Sequence, residues 1–540
     1  MEKLRKDYGV LRKREYSLER FLRMDRYFRK HEEADQIDDI TWNDLGMDEL
    51  FKGMNHTYSS IGEEYLYYRL RNAGTSLEEL NEFESLVAFF KDQEEARVSF
   101  QAYMAKLGYM GNFSLYDYLD HLDYLGERSN VSAYVRNAIF FGFCLLMPFA
   151  FSYALIGMVV MLIVNNLCYF KEKSEIEPYV ISFVYILKLL DCSEKIEKNL
   201  LKDKTGNKQL QCEIQRLKSA REELKPLRKG SFWVMYGNGA LGGDPAGMLL
   251  DLLKMGFHID LIRFNRMLSF LKKHIDGVDV ICTCLGKMET AVAIGAYRTD
   301  LGRKNGYCIP ELREENEENG NLSIRISEGY HPLLETPIKN TIEAHRGVLL
   351  TGSNASGKST FLKMVAINAI FAQTIHTCTA GEYQAPMFRI LSSMALRDDL
   401  QGGDSYYIVE IKALKRILVS AGEENRPVLC FVDEVLRGTN TVERIAASTE
   451  ILKSLSRKNT LCFAATHDIE LTELLEEQYD NYHFTEEIRD GDIEFPYLLL
   501  KGKATTRNAI KLLEIIGYDE EIISRAEKLA EKFIAERTWK

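Results

Sequence analysis

The chain has 540 residues, enough for three or four domains, and its 46% hydrophobic and 28% charged content suits a globular protein that buries a core. Its net charge of -11 argues against a broadly basic nucleic-acid binder and leaves room only for a local basic patch. The ten cysteines are scattered, and the one close pair, Cys282 and Cys284, has no neighbouring metal-ligand partner, so they read as reduced, mostly buried thiols of a cytosolic environment.

From Met1 to about Asp39 the chain is charged and helical in tendency, with no secretory signal over Met1 to Arg14. Polar turns follow around Trp42 and Leu45. Ser59-Ser60-Ile61-Gly62-Glu63 reads as a capping signal for a helix carrying Tyr65, Leu66 and Leu70, and more helix is expected from Leu86 to Tyr109.

Ala138 to Val164 holds 27 consecutive uncharged residues, a transmembrane candidate by length. Pro148, with Ser152 and Tyr153 nearby, divides it into two arms. Arg128 and Arg136 stand before it, and Lys171 and Lys173 after it. Basic flanks on both sides favour one cytoplasmic side for both ends, which a helical hairpin satisfies and a single pass does not. The bland alternative is a buried apolar helix pair in a soluble protein. Ser174 to Lys229 reads as charge-rich helix, Gly230 to Gly247 as a glycine-rich break, and Met248 to His274 and Leu285 to Tyr297 as helix again. Arg303 to Asn321 is polar and reads as a domain boundary.

Gly347 to Thr351 is a short apolar run that suits a buried strand. It leads into Gly352-Ser-Asn-Ala-Ser-Gly-Lys358-Ser359-Thr360, the pattern GxxxxGK[ST], and Phe361 to Gln373 then carries a helical apolar pattern. Strand, glycine loop and helix form the context in which this motif binds phosphate. Gly352 and Gly357 let backbone N–H groups converge on phosphate oxygens, and the helix N-terminus adds partial positive charge. Lys358 is placed to reach the β/γ-phosphates, and Ser359 to hold Mg²⁺. Val428 to Val432 is a second apolar strand, ending in Asp433-Glu434. There Asp433 suits the Mg²⁺ shell and Glu434 suits the attacking water. Leu461 to Thr466 is a third, delivering His467 toward the phosphate crevice, with a core or capping histidine as the bland alternative. Between them lies Asp398-Asp399-Leu-Gln-Gly-Gly403-Asp-Ser405, before a helix beginning near Tyr406.

This order of motifs resembles that of ABC-type ATPases, in which the serine of such a loop closes on the partner subunit's nucleotide. More narrowly, the chain resembles the ATPase and lever region of MutS, the DNA mismatch-repair ATPase. Thr351 to Thr360 is similar to the MutS P-loop, with Asn354 at its characteristic place. Asp398 to Glu410 is similar to the signature stretch, Asp433 to Asn440 to the Walker B strand and following loop, and Ala465-Thr466-His467 to the histidine loop. Gly329-Tyr330-His331-Pro332 resembles the segment ahead of the ATPase sheet, and Gly502 to Ala509 with Ile515 to Ala526 resembles the helices that interlock MutS dimers.

The resemblance implies an α/β P-loop ABC-type ATPase domain at 325–500, followed by a C-terminal helical dimerisation segment at 501–540. An all-α lever and core region precedes it at 1–130 and 171–302, interrupted by the hydrophobic, transmembrane hairpin at 131–170. It implies catalytic Glu434, His467 and Lys358. Nucleotide binding falls to Gly352, Asn354, Ser356, Gly357, Lys358, Ser359 and Thr360, with Ser405 acting in trans, and Mg²⁺ to Ser359 and Asp433. ATP, Mg²⁺, a homodimer and DNA follow as expected partners, the hairpin adds a membrane, and the expected location is the cell membrane with the ATPase domain in the cytoplasm, or else the cytoplasm itself. Asp404 and Asn440 depart from the family pattern, and the residues offer no counterpart of the Phe-x-Glu wedge that reads a mismatch. Lys501, Lys503 and Arg507, and the helical group Arg216, Lys218, Arg221 and Lys225, are the basic clusters available to a phosphate backbone, or else solvated faces.

Overall fold

The computed structural model describes residues 1–540 except 112, 201–205, 236–244, 314–321, 354, 395–405, 424–425, 437–438, 490–491, 505–508 and 537–540. Two compact units share the chain. One comprises Met1–His31, Asn55–Tyr68 and Glu82–Ala296, and the other Glu32–Met54, Arg69–Asn81 and Tyr297–Lys540.

Among its described residues the first unit is helical. Its longest element is the helix Phe151–Leu200, which packs against Val131–Leu146, Glu94–Leu107, Lys208–Glu223 and Pro245–Phe257. Its apolar core includes Phe90, Phe100, Phe183 and Phe264, all buried. The expected helix over Leu86 to Tyr109 is two helices, Leu77–Asp92 and Glu94–Leu107. Met248 to His274 likewise divides into Pro245–Phe257 and Ile259–Leu271, because His258 takes a left-handed conformation at φ 57°.

The capping expectation at Glu63 needs correction. Ser59 does cap, accepting from the Gly62 N–H at 3.1 Å. Glu63, fully buried, instead faces Arg14 at 3.7 Å, Arg20 at 2.6 Å and Arg23, and accepts from Asn55 Nδ2 at 2.6 Å. A buried carboxylate needs such compensation, and three guanidinium groups supply it. Glu289 is also fully buried and is held by the Ser59 hydroxyl and the Tyr58 N–H. Burial pushes its carboxyl up to about 7.

The second unit is mixed α/β. Its strands are β1 (Glu311–Arg313), β2 (Ile324–Gly329), β3 (Asn340–Ala344), β4 (Gly347–Thr351), β5 (Glu382–Pro386), β6 (Arg389–Ser393), β7 (Val428–Asp433), β8 (Thr460–Ala465), β9 (Tyr479–His483), β10 (Glu487–Arg489), β11 (Asp492–Glu494) and β12 (Leu500–Lys501). The main sheet has the order β12-β9-β4-β8-β7-β6, parallel except for the antiparallel edge strand β12. A second sheet runs β1-β5-β2-β3, and β10 and β11 form a separate antiparallel pair. Strands β4, β7 and β8 are buried along their whole length, as befits central parallel strands covered on both faces, and this is why each reads as an unbroken apolar run.

The helix Lys358–Ile375 follows β4, and its buried residues include Phe361, Leu362, Val365, Ile367 and Phe371. On the other side Leu349, Cys430, Val432 and Ala464 form a core with Leu414, Ile417, Leu452 and Leu455 from the helices Tyr406–Ser420 and Thr441–Leu455. The free edge of β6 is covered by the helix Asp39–Leu45. Thr41 Oγ1 accepts from the Ser392 N–H at 3.2 Å, and Asp44 accepts from the Ser392 hydroxyl at 2.7 Å and the Met394 N–H at 2.9 Å. Arg416 adds a bond to the Ser392 carbonyl at 2.6 Å and an ion pair with Asp38. All ten cysteines are free, six of them buried, in keeping with the sequence expectation.

Candidate functional site

The carboxyl ends of β4, β7 and β8 open on one cavity of about 680 Å³. The loop after β4 supplies Ser353, Ala355, Ser356 and Gly357, the following helix supplies Lys358 to Phe361, β7 supplies Asp433 and Glu434, and the end of β8 supplies His467. Five of the expected loop and helix residues, Ser356, Gly357, Lys358, Ser359 and Thr360, therefore line one cavity with Asp433, Glu434 and His467, while Gly352 is off that lining. Asn354 and Ser405 lie outside the described residues.

The loop needs its glycines. Gly352 sits at φ 144°, and a Cβ there would lie 2.9 Å from both the Phe484 carbonyl oxygen and Ser356 Oγ. Gly357 sits at φ 110° and starts the helix, so its N-terminal N–H groups face the cavity mouth. Ser356 Oγ is buried with no hydrogen-bond partner among the described residues. Such an atom suits a loop that closes around a polar ligand.

Lys358 Nζ donates to the carbonyls of Gly352 and Ser353, both at 2.8 Å, and stands 3.4 Å from His467 Nε2. The Ser359 hydroxyl donates to Asp433 Oδ2 at 2.5 Å. His467 Nε2 lies 2.8 Å from Glu434 Oε1. Glu434 has φ 57° and Leu436 φ 59°, sparsely populated values for residues with a side chain. Two bonds hold that turn: the Glu434 N–H donates to the Ala465 carbonyl at 2.9 Å, and the Leu436 N–H donates to Glu410 of the helix Tyr406–Ser420. Asp468, next to His467, pairs with Arg444 at 2.5 and 2.9 Å in a two-pronged contact.

A hard dication fits the Ser359–Asp433 pair, whose adjoining oxygens are the right donor type. No cluster of three or more His, Cys, Asp or Glu able to hold a metal occurs among the described residues.

The other cavity walls were not singled out as site residues in the sequence. Tyr330, His331, Ile338, Asn340, Met364, Phe484 and Tyr497 are among the rest of the lining. Asn340 Nδ2 donates to the Tyr497 carbonyl at 3.0 Å and Asn340 Oδ1 accepts from the Leu499 N–H at 2.8 Å, fixing Tyr497 beside Gly357. Burial, helped by Lys363, pushes His331 down to about 4, so a neutral imidazole faces the cavity near pH 7. The Gly329-Tyr330-His331-Pro332 run was the one signal pointing here. Tyr497, some 140 residues after the loop it touches, carried none. Asn440, the departure from the family pattern, caps the helix Thr441–Leu455 by accepting from the Glu443 N–H at 3.0 Å.

Three of the six described members of the basic clusters have acidic partners. Arg221 pairs with Glu197 and stands 3.8 Å from Glu194, Arg216 is 3.6 Å from Glu213, and Lys503 is 3.4 Å from Glu476. Arg507 lies outside the described residues.

Residues 348–534 match the family MutS domain V, whose fold is that of an ATPase-type α/β domain. The DNA mismatch repair protein MutS of Thermus thermophilus is 32% identical over 271 residues, covering 49% of this chain and 32% of the relative. The protein of the same name from Thermotoga sp. (strain RQ2) is 30% identical over 287 residues, 51% of this chain and 34% of the relative. That from Lactobacillus acidophilus is 29% identical over 302 residues, 54% and 34% respectively. The chain thus spans about a third of the length of these curated relatives. The glycine loop, Asp433-Glu434 and His467 all fall inside the stretch that matches, and residues 348–534 thus resemble MutS domain V.

Proposed function

We propose that the second unit is a P-loop ATPase of the ABC type, hydrolysing ATP to ADP and phosphate with Mg²⁺ in a homodimer. The observation that carries this is the convergence of Lys358, Ser359, Asp433, Glu434 and His467 on one cavity whose floor is a glycine loop and a helix N-terminus. In this reading the loop N–H groups and Lys358 hold the phosphates. Ser359 and Asp433 hold Mg²⁺, which neutralises phosphate charge. Glu434 positions and deprotonates the attacking water, and His467, in contact with Glu434, senses the γ-phosphate. Tyr497, His331 and Ile338 form the wall against which the nucleoside packs. Ser405 of one subunit completes the site of the other, and nucleotide turnover opens and closes the pair. The proposed domain limits are those expected from the sequence, with the ATPase domain at 325–500 and the dimerisation segment at 501–540.

The relatives' names place them in DNA mismatch repair, and a DNA-linked role is the reading their likeness favours for this chain. A second reading rests on a different observation. The helices Val131–Leu146 and Phe151–Leu200 form a hairpin with large apolar side chains outward, Phe149 at 88% and Tyr153 at 78% exposure, and Phe151–Leu200 is long and apolar enough to cross a membrane. We infer that this hairpin inserts in a membrane and that the ATPase is anchored at its cytoplasmic surface.

Replacing Lys358 tests the core of the proposal. Lys358→Ala should lose ATP binding in a fluorescent-nucleotide titration of the full chain, and unchanged affinity would sink the assignment of the loop.

A further inference from the structure

The apolar hairpin does not stand alone. Its turn falls at Met147 to Ala150, between the helices Val131–Leu146 and Phe151–Leu200. A third helix, Pro245–Phe257, lies along it. Phe257 packs its ring against Phe140 and Phe141, with centroids 5.4 and 5.6 Å away, and Gly256 approaches Leu162. At the same height a polar layer ties the three helices together. Asn137 Nδ2 donates to the Phe257 carbonyl at 2.9 Å and Asn165 Nδ2 to the Gly256 carbonyl at 2.8 Å. His258 Nε2 meets the Asn165 carbonyl at 2.8 Å, and Arg136 lies 3.1 Å from His258 and 3.2 Å from Glu172. Beyond this layer, toward the turn, the hairpin carries no charge. The third helix contributes Met248, Leu249 and Leu252, spaced to lie on one face and all at least 60% exposed. Its two charges in this region, Asp251 and Lys254, stand 3.8 Å apart with Lys254 buried.

The length of the apolar part decides how it can meet a bilayer. From Asn165 to Phe151 is 14 residues, about 21 Å of helix, and from Asn137 to Leu146 about 14 Å. The hydrocarbon core of a bilayer is about 30 Å thick, so one leaflet is about 15 Å. An uncharged tip offers nothing to a phosphate backbone, and its backbone polar groups are satisfied within helices, as lipid requires. We propose that the three helices act as one wedge that dips its tip, and the Met248–Leu249–Leu252 face with it, into a single leaflet, with the polar layer at Asn137, Asn165 and His258 lying at the headgroups. This rests on the membrane reading of the hairpin above and adds the third helix and the depth.

The test uses the full chain and vesicles of phosphatidylcholine and phosphatidylglycerol. The parent protein should float with the vesicles. L249E/L252E should lower the bound fraction more than about tenfold, since acidic side chains are costly in lipid, while ATP turnover in solution stays at the parent level and reports an intact fold. F149W and L252W, read as differences from the parent emission, should both be quenched by lipids brominated along the acyl chain. Quenching of F149W without L252W would overturn the third helix's part and leave the hairpin anchor standing. Quenching of F149W by iodide trapped inside the vesicles would mean a spanning hairpin and overturn the single-leaflet depth. A parent chain that fails to float, and whose self-association is broken by L249E/L252E, would replace the bilayer by a second copy of the chain and overturn both readings.

Discussion

The phosphate-type cavity and the apolar wedge are built in opposite ways. The cavity is made of backbone turns and short polar side chains at the ends of buried strands, so its residues stand in tight sequence blocks. The wedge is made of long side chains facing outward, and its third helix, Pro245–Phe257, begins about 95 residues beyond the turn that joins the first two. A local motif specifies the first because a glycine loop and a helix start must be contiguous to make a nest of N–H groups. The hairpin half of the second is legible as an uncharged run, and only packing brings the remote third helix to it.

The sharpest way to break this contrast is at Glu434. If the cavity is the chemical centre, Glu434→Gln should keep ATP binding and lower kcat by about 10² to 10⁴, the usual worth of a positioned general base. It should also trap a closed dimer, visible as a nucleotide-dependent shift in size-exclusion chromatography. Normal turnover would remove Glu434 from that role. A smaller effect is expected at Gly352, where the contrast between backbone and side chain is most direct. Gly352→Ala forces a Cβ into contacts of 2.9 Å at a positive φ. It should cost about 1–3 kcal/mol of stability, read by denaturant unfolding, together with weaker nucleotide binding. An unchanged midpoint would show that the loop is looser than its packing indicates.

The smallest effect lies away from both regions, at Glu289. Its folded pKa is raised from 4.5 to about 7 by burial. The folded state therefore holds a proton that the unfolded chain releases, and stability falls as pH rises from about 4.5 through 7. Glu289→Gln, which keeps the shape and cannot ionise, should flatten that part of the melting-temperature profile by a few degrees. A profile that keeps its slope would assign the titration to another group.

Much of the main sheet was legible beforehand. The strand Gly347–Thr351 was expected with its observed bounds, Val428–Asp433 and Thr460–Ala465 within one residue, and the helix starting at Tyr406 agrees. Central parallel strands are apolar on both faces, so they announce themselves. The boundary of the second unit was hidden. Its residues Glu32–Met54 and Arg69–Asn81 come from the N-terminal part of the chain, which reads as ordinary charged helix. Glu63 misled for a related reason: a carboxylate three residues after a serine matches a capping pattern, while the arginines that claim it are 40 to 49 residues upstream. Tyr497 and Asn340 were missed because a cavity wall built by side chains from a strand and a distant loop has no spacing rule.

The cover on β6 has a consequence for how this protein is made. The backbone N–H groups of Ser392 and Met394, on the open side of the last strand, are satisfied by Thr41 and Asp44. An unshielded strand edge is a template for pairing with other chains. Thr41 and Asp44 are synthesised some 350 residues before the strand they cover and must stay available until it emerges, and until then the nascent sheet carries a bare border. A chain cut to begin at residue 325 would carry that border permanently and should aggregate under conditions in which the full chain does not.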